Sequence, residues 1–148
     1  MKATRMMKLV LLAAVASCAH SAPAPRGQQA DAEMTVRQKF AAFNRHDADA
    51  IQSIYGTNAV LHSPDYPGLI GNVPIAGTYR QLFAAIPDAR DEIRSFDAIG
   101  DKVYVQFTLT GHWQGVPDKP LQVRIMSIYI VKDGHIADDT TYYDRKAS

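Results

Sequence analysis

The sequence predicts an α+β domain, with helices segregated on one side of an antiparallel sheet. Three observations predict it. Val103, Val105, Phe107 and Leu109 alternate with Tyr104, Gln106 and Thr108, the period of a half-buried strand. Asp133-Gly134 separates two further strand-like runs and is a strong hairpin signal. Before Ile86 the apolar residues recur instead at spacings of three and four, the period of helices.

The 148 residues suffice for one domain with one core. The chain begins with Lys2, Arg5 and Lys8, followed by an apolar run from Leu9 to Ala16 that is too short to span a bilayer. Residues 1–17 thus have the layout of a secretory signal. Val15-Ala16-Ser17-Cys18 resembles a bacterial lipobox, in which the cysteine becomes the lipidated first residue; the alternative is ordinary cleavage after Ser21. Cys18 is the only cysteine, so no internal disulfide can form. One acyl anchor would tether the domain to a bacterial envelope membrane, the outer membrane if the source is Gram-negative. Without the lipid the expected location is periplasmic or secreted. The signal holds three of the 16 basic residues, leaving 13 basic against 15 acidic, a formal charge of −2. With no basic run beyond it, nucleic acid is not expected as a partner.

Residues 18–31, rich in Ala, Pro, Ser, Gly and Gln, read as a linker to a domain over 32–148. Ala32, Val36, Phe40 and Phe43 predict a first helix from about Ala32 to Asn44. Asp47 predicts the N-cap of a short second helix that stops near Tyr55-Gly56. Asn58 to Ser63 reads as a strand, and the prolines and glycines from Pro64 to Gly71 as a loop. Tyr79, Leu82, Phe83 and Ile86 predict a third helix over Ile75 to Ile86, stopped by Pro87. A strand over Asp91 to Ile99 turns at Gly100-Asp101 into the three terminal strands, giving four successive antiparallel strands.

Several segments resemble one family. Leu82-Phe83-Ala84-Ala85-Ile86-Pro87-Asp88 resembles an LF-x-A-F-PD segment. Gly100-Asp101-Lys102-Val103 with Thr108-Leu109-Thr110-Gly111 resembles a GD-x-V and T-x-TG strand pair. YIVKDGHI, from Tyr129, resembles a YR-x-x-DGKI hairpin, and Asp144 an aspartate that closes the last strand. Phe43-Asn44 with His46-Asp47 resembles an FN-x-x-D helix junction. Together, over about Met34 to Asp144, they resemble SnoaL-like proteins, the polyketide-cyclase branch of the nuclear transport factor 2-like superfamily. The resemblance implies a cone: a bent antiparallel sheet wrapped around helices, with a mostly apolar pocket at the open end, often dimeric through the sheet. It also implies an aspartate and a nearby histidine as the cyclase acid/base apparatus. Aligned through the hairpin, that histidine falls on Ser127 and that aspartate on Thr141, while a further family histidine falls on Trp113. Neither serine nor threonine transfers a proton near neutral pH as a carboxylate or imidazole does.

If Thr141 faces the pocket, strand phase turns Asp139 and Tyr143 the same way, and Asp138, Tyr142 and Asp144 away. Asp139 is a candidate general base if apolar walls raise its pKa; otherwise Asp138-Asp139 is a solvated acidic pair. His62 is a candidate acid or base at the pocket mouth, or a core-edge histidine with one hydrogen bond. Tyr143 completes the catalytic candidates. Trp113 is a candidate stacking floor or a packing residue. Tyr129 and Tyr143 offer hydroxyls to a bound carbonyl, or are structural. Tyr66, in the loop, is a candidate to close over a ligand; with Ser127 and Thr141 it completes the ligand-binding set. The five histidines show no metal-ligand spacing, and no phosphate loop, nucleophile elbow or dinucleotide fingerprint is present, so neither metal nor cofactor is expected.

Three functional classes follow. The first is a lipid-anchored module whose cone holds a small apolar molecule or whose sheet docks a partner, a homodimer as the resemblance implies. The second is a cofactor-free isomerase, cyclase or hydrolase using a pocket Asp with His or Tyr. The third is a structural envelope protein. The first leads, because the carried-over catalytic positions are replaced and fold does not fix function.

Overall fold

The computed structural model describes residues 26–116 and 120–144. The signal segment, Cys18 and the linker up to residue 25 lie outside the described residues. The elements run α1 (Arg26–Asn44), α2 (Ala48–Ile54), β1 (Tyr55–His62), β2 (Leu69–Ile70), α3 (Asn72–Ala85), β3 (Arg90–Ile99), β4 (Lys102–His112), β5 (Pro120–Lys132) and β6 (His135–Tyr143). No described helix is long and apolar enough to cross a membrane.

The predicted helical stripe is the buried face of α1: Ala32, Val36, Phe40 and Phe43 are all in the core. That helix starts six residues before the predicted Ala32, inside the segment read as linker. Its first turns are exposed and polar, so they leave no apolar period to read, yet Gln28 to Asp31 carry no helix breaker. Asp47 caps α2 as expected, its carboxylate accepting from the Ala50 N–H at 2.9 Å. The chain then passes straight from the helix into β1 at Tyr55, so Gly56 is a strand residue rather than a helix stop.

One sheet holds all six strands in the order β2-β1-β6-β5-β4-β3. Strands β3 to β6 form the expected antiparallel run, and β2, within the segment read as loop, pairs antiparallel with β1. The sheet is mixed rather than wholly antiparallel, because β1 lies parallel to β6, with Val60 opposite Asp138 and Leu61 opposite Asp139. Asp133 (φ 51°) and Gly134 (φ 73°) make the β5–β6 turn with two left-handed residues, the geometry that matches strand twist. A bulge between Ile93 and Ser95 bends β3. The long helix α1 packs across the concave face of β3 to β6, and α3 packs on β1 and α2. Phe40 is the anchor, its ring edge-on to Phe107 at 4.9 Å between centroids.

Candidate functional site

A cavity of about 540 Å³ opens between α1, α3 and the concave face of the sheet. Its walls are apolar, from Phe43 and Leu82 on the helices and Phe107, Leu109, Val123 and Ile125 on β4 and β5. Its floor is polar: Lys39, Tyr79, Asp91, Ser127, Tyr129 and Thr141. Tyr66, Asp65, Trp113, Tyr143 and Asp144 stand at the mouth.

The floor is built around a buried cation. Lys39 occupies the apolar stripe of α1, three residues after Val36 and four before Phe43, so it is carried into the core. Its Nζ lies 3.8 Å from Asp91 Oδ2. Five rings surround it, those of Phe40, Phe43, Tyr79, Phe107 and Tyr129, with centroids 4.4 to 5.8 Å away. Burial opposes the charge, but the phenolic oxygens of Tyr129 and Tyr79 and the carboxylates of Asp91 and Asp139 outweigh it and hold the ammonium above its ordinary range. Asn44 fixes Asp91 by clamping its backbone: Nδ2 donates to the Asp91 carbonyl at 3.0 Å, and Oδ1 accepts from its N–H at 2.8 Å. Burial raises Asp91 to about 6, against the pull of Lys39.

Behind the floor lies a second carboxylate. Asp139 is 1% exposed and does not line the cavity. Tyr55 donates to its Oδ2 at 2.5 Å, and Thr141 to its Oδ1 at 2.8 Å. Ser127 Oγ is 2.6 Å from Thr141 Oγ1, and Tyr79 OH is 3.1 Å from Tyr55 OH. Burial raises the Asp139 carboxyl above the usual range, while Lys39 and the hydrogen bonds from Tyr55 and Thr141 act the other way. Ser127 on β5 and Thr141 on β6, the positions of the cyclase pair, are therefore hydroxyls linked in series to Asp139, two residues before Thr141 on its own strand. The reading of Asp138-Asp139 as a solvated pair does not hold for Asp139.

The other candidates divide by position. Thr141, Tyr143, Ser127, Tyr129, Tyr66 and Trp113 all line the cavity. Trp113 stands at its edge, 47% exposed, rather than under it as a floor, and it leaves the cavity open. Tyr143 donates to the Asp65 carboxylate at the mouth. Asp144 also lines the mouth, against its expected outward phase, because β6 has ended at Tyr143. His62 is not in the cavity. Leu61 points inward, so its neighbour His62 points outward, 42% exposed, its Nδ1 2.9 Å from the Pro67 carbonyl and its Nε2 3.7 Å from Asp138 Oδ2. Lys39 and Asp91 were not among the sequence candidates. The available signal was a single charge on the apolar stripe of α1.

A SnoaL-like domain model matches residues 36–138, more than half of the chain. The chain belongs to the SnoaL-like family. Solved structures share the fold of this SnoaL-like domain at low identity. A protein with a ketosteroid isomerase-like fold from Catenulispora acidiphila, in complex with trimethylamine, is 20% identical with a TM-score of 0.70, over 76% of this chain and 87% of its own. An LEH-like epoxide hydrolase of M. tuberculosis is 18% identical with a TM-score of 0.69, over 80% and 86%. IdmH, a putative polyketide cyclase from Streptomyces antibioticus, is 22% identical with a TM-score of 0.68, over 78% and 94%. No curated protein matches the sequence. Among the described residues of the SnoaL-like domain, no group of three or more His, Cys, Asp or Glu side chains is placed to hold a metal ion.

Proposed function

We propose that the cone takes up a small, largely apolar molecule and moves a proton on it without a cofactor, Asp91 acting as acid or base and Lys39 stabilising negative charge that develops on a substrate oxygen. The observation that carries this reading is the Lys39–Asp91 pair, sealed from bulk solvent yet facing an apolar-walled cavity. A carboxyl raised to about 6 exchanges its proton near neutral pH, where an ordinary aspartate is fully ionised. An ammonium in a dry site opposes developing negative charge far more strongly than it would in water. Cyclisation, isomerisation and hydrolysis, the chemistries of the related folds, can all use that pairing. Native mass spectrometry of the protein purified from its own host tests the reading. The wild type should carry product or an empty cavity, and Asp91→Asn should retain an unconverted molecule. The same unchanged molecule on both would leave a carrier rather than an enzyme, and an empty cavity on both would overturn the proposal.

The basic start, the short apolar run and Cys18 support export with a lipid on Cys18, and with it a place in the cell envelope. Intact-mass measurement of the mature chain checks this: residues 1–17 should be lost and a diacylglyceryl mass gained, and Cys18→Ser should lose the lipid. The outer face of the sheet supports a homodimer. Tyr104 faces Ile128 across the β4–β5 pair, Met126 faces Tyr142 across β5–β6, and Tyr142 is 57% exposed. Light scattering should return twice the monomer mass and, for Tyr142→Glu, the monomer mass.

A further inference from the structure

We infer that Asp139, although outside the cavity, sets whether the floor accepts or donates a hydrogen bond to a ligand's oxygen atom, acting through the hydroxyls of Thr141 and Ser127. This deepens the cavity reading and rests on it.

A hydroxyl carries one hydrogen, so the direction of each bond in the chain is determined by its end. With Asp139 ionised, Thr141 gives its hydrogen to Oδ1. Ser127 must then give its own to Thr141 Oγ1, and only its lone pairs are left for the cavity and the neighbouring Tyr129 hydroxyl. The floor accepts there. When a proton settles on Oδ1, that oxygen becomes the donor to Thr141. Thr141 turns its hydrogen to Ser127, and the Ser127 hydrogen is released toward the cavity and the Tyr129 hydroxyl that lines it beside Ser127. One proton has entered at Asp139, two hydroxyls have rotated, no heavy atom has moved, and the floor donates. The other carboxylate oxygen is engaged by Tyr55, which directs the change along the Thr141 arm.

The site is built for such a device. Ser127 is fully buried, faces Thr141 across the β5–β6 pair and lines the cavity, whereas Asp139 does not. The groups that bear on Asp139 come from every surrounding element: Lys39 on α1, Tyr55 on β1, Tyr79 on α3, Asp91 on β3, Tyr129 on β5 and Asp138 on β6 itself. Asp139 is thus a positioning residue, and the ligand class is a small, largely apolar compound with one hydroxyl or carbonyl at its leading end.

Two probes of one size test this on the whole protein: naphthol, whose hydroxyl donates, and acetylnaphthalene, whose carbonyl only accepts. Across the Asp139 titration, naphthol affinity should rise with pH and acetylnaphthalene affinity should fall, each by about threefold to tenfold, the reach of one hydrogen bond. Asp91 titrates in the same cavity, so the comparison with Thr141→Val decides. That variant keeps both carboxylates and should lose the opposed slopes. Ser127→Ala, which does not touch Asp139, should lose them too. Both probes binding with the same pH dependence in wild type and variants would overturn the inference and leave the cavity reading standing. Neither probe binding would overturn both.

Discussion

Lys39 Nζ stands 3.8 Å from Asp91 Oδ2, joining the central helix to an edge strand through two side chains that are both withdrawn from solvent. Such a pair gains little over a well-packed apolar isostere, because each ion gave up its hydration. Breaking it from one side is another matter. Lys39→Met leaves Asp91 and Asp139 as buried carboxylates without their common cation. Unfolding free energy at neutral pH should fall by about 3–5 kcal/mol, a large part of a typical total. Denaturant titration at pH 7.5 and again near 5 checks the cause: the loss should shrink at the lower pH, where the carboxyls take up protons.

The pH dependence of the wild type should carry the mark of Asp91. It titrates at about 6 in the folded chain, against about 3.9 for an ordinary aspartate. Over that interval the folded chain holds a proton that the unfolded chain has lost. The resulting stabilisation is complete below about pH 4 and lost as pH rises through about 6, with a size on the order of 3 kcal/mol. Burial of Asp139 acts in the same sense. Asp88, held below the usual range by hydrogen bonds from His112, acts oppositely and at lower pH. The difference in unfolding free energy between wild type and Asp91→Asn, followed from about pH 4 to 7, isolates the slope. A flat difference would contradict it.

Gly111 should not tolerate a side chain. Its φ is 154°, and a Cβ there would come within 2.4 Å of Ile86 Cγ2 and 3.1 Å of Asp88 Oδ1. The contact seats the end of β4 against the end of α3, beside the Gln114 N–H to Ala85 carbonyl bond of 2.8 Å. Gly111→Ala should therefore cost about 1–3 kcal/mol by thermal or chemical denaturation. It should also loosen the mouth near Trp113, seen as a change in the fluorescence of this single tryptophan.

His62→Ala should do little. The imidazole faces away from the cavity and is half exposed. Binding of either naphthalene probe should stay within about twofold of wild type, and stability within about 0.5 kcal/mol. A tenfold loss of affinity would mean that His62 reaches the ligand after all.

These contrasts show what the sequence could and could not reveal. Period alone located the buried face of α1 and that of β4, because burial there follows the backbone's own repeat. The Asp133-Gly134 turn was legible because left-handed residues are chemically selective. Strand phase placed Asp139, Thr141 and Tyr143 on one face, but it could not say that Asp139 would meet Tyr55 from a strand far away in sequence. Lys39 was hidden by its type: a lysine on an apolar stripe reads as one interruption unless its partners are known. His62 was misplaced because Val60 and His62 share a phase opposite to Leu61, and only the pairing with β6 shows which side is inside.

The parallel pairing of β1 with β6 has a consequence for the order of assembly. Tyr55 and Asp139 are separated by 84 residues, and the strand pair beneath them closes a loop that contains most of the domain. During synthesis, α1, α2 and β1 emerge with the centre of their sheet still missing. Only β6, which follows every other described strand, fills it, and it also brings the Asp139 carboxylate and Thr141. The polar cluster behind the floor is therefore never made in part: the nine-residue strand β6 completes the sheet and the Tyr55–Asp139–Thr141 hydrogen bonds in one event.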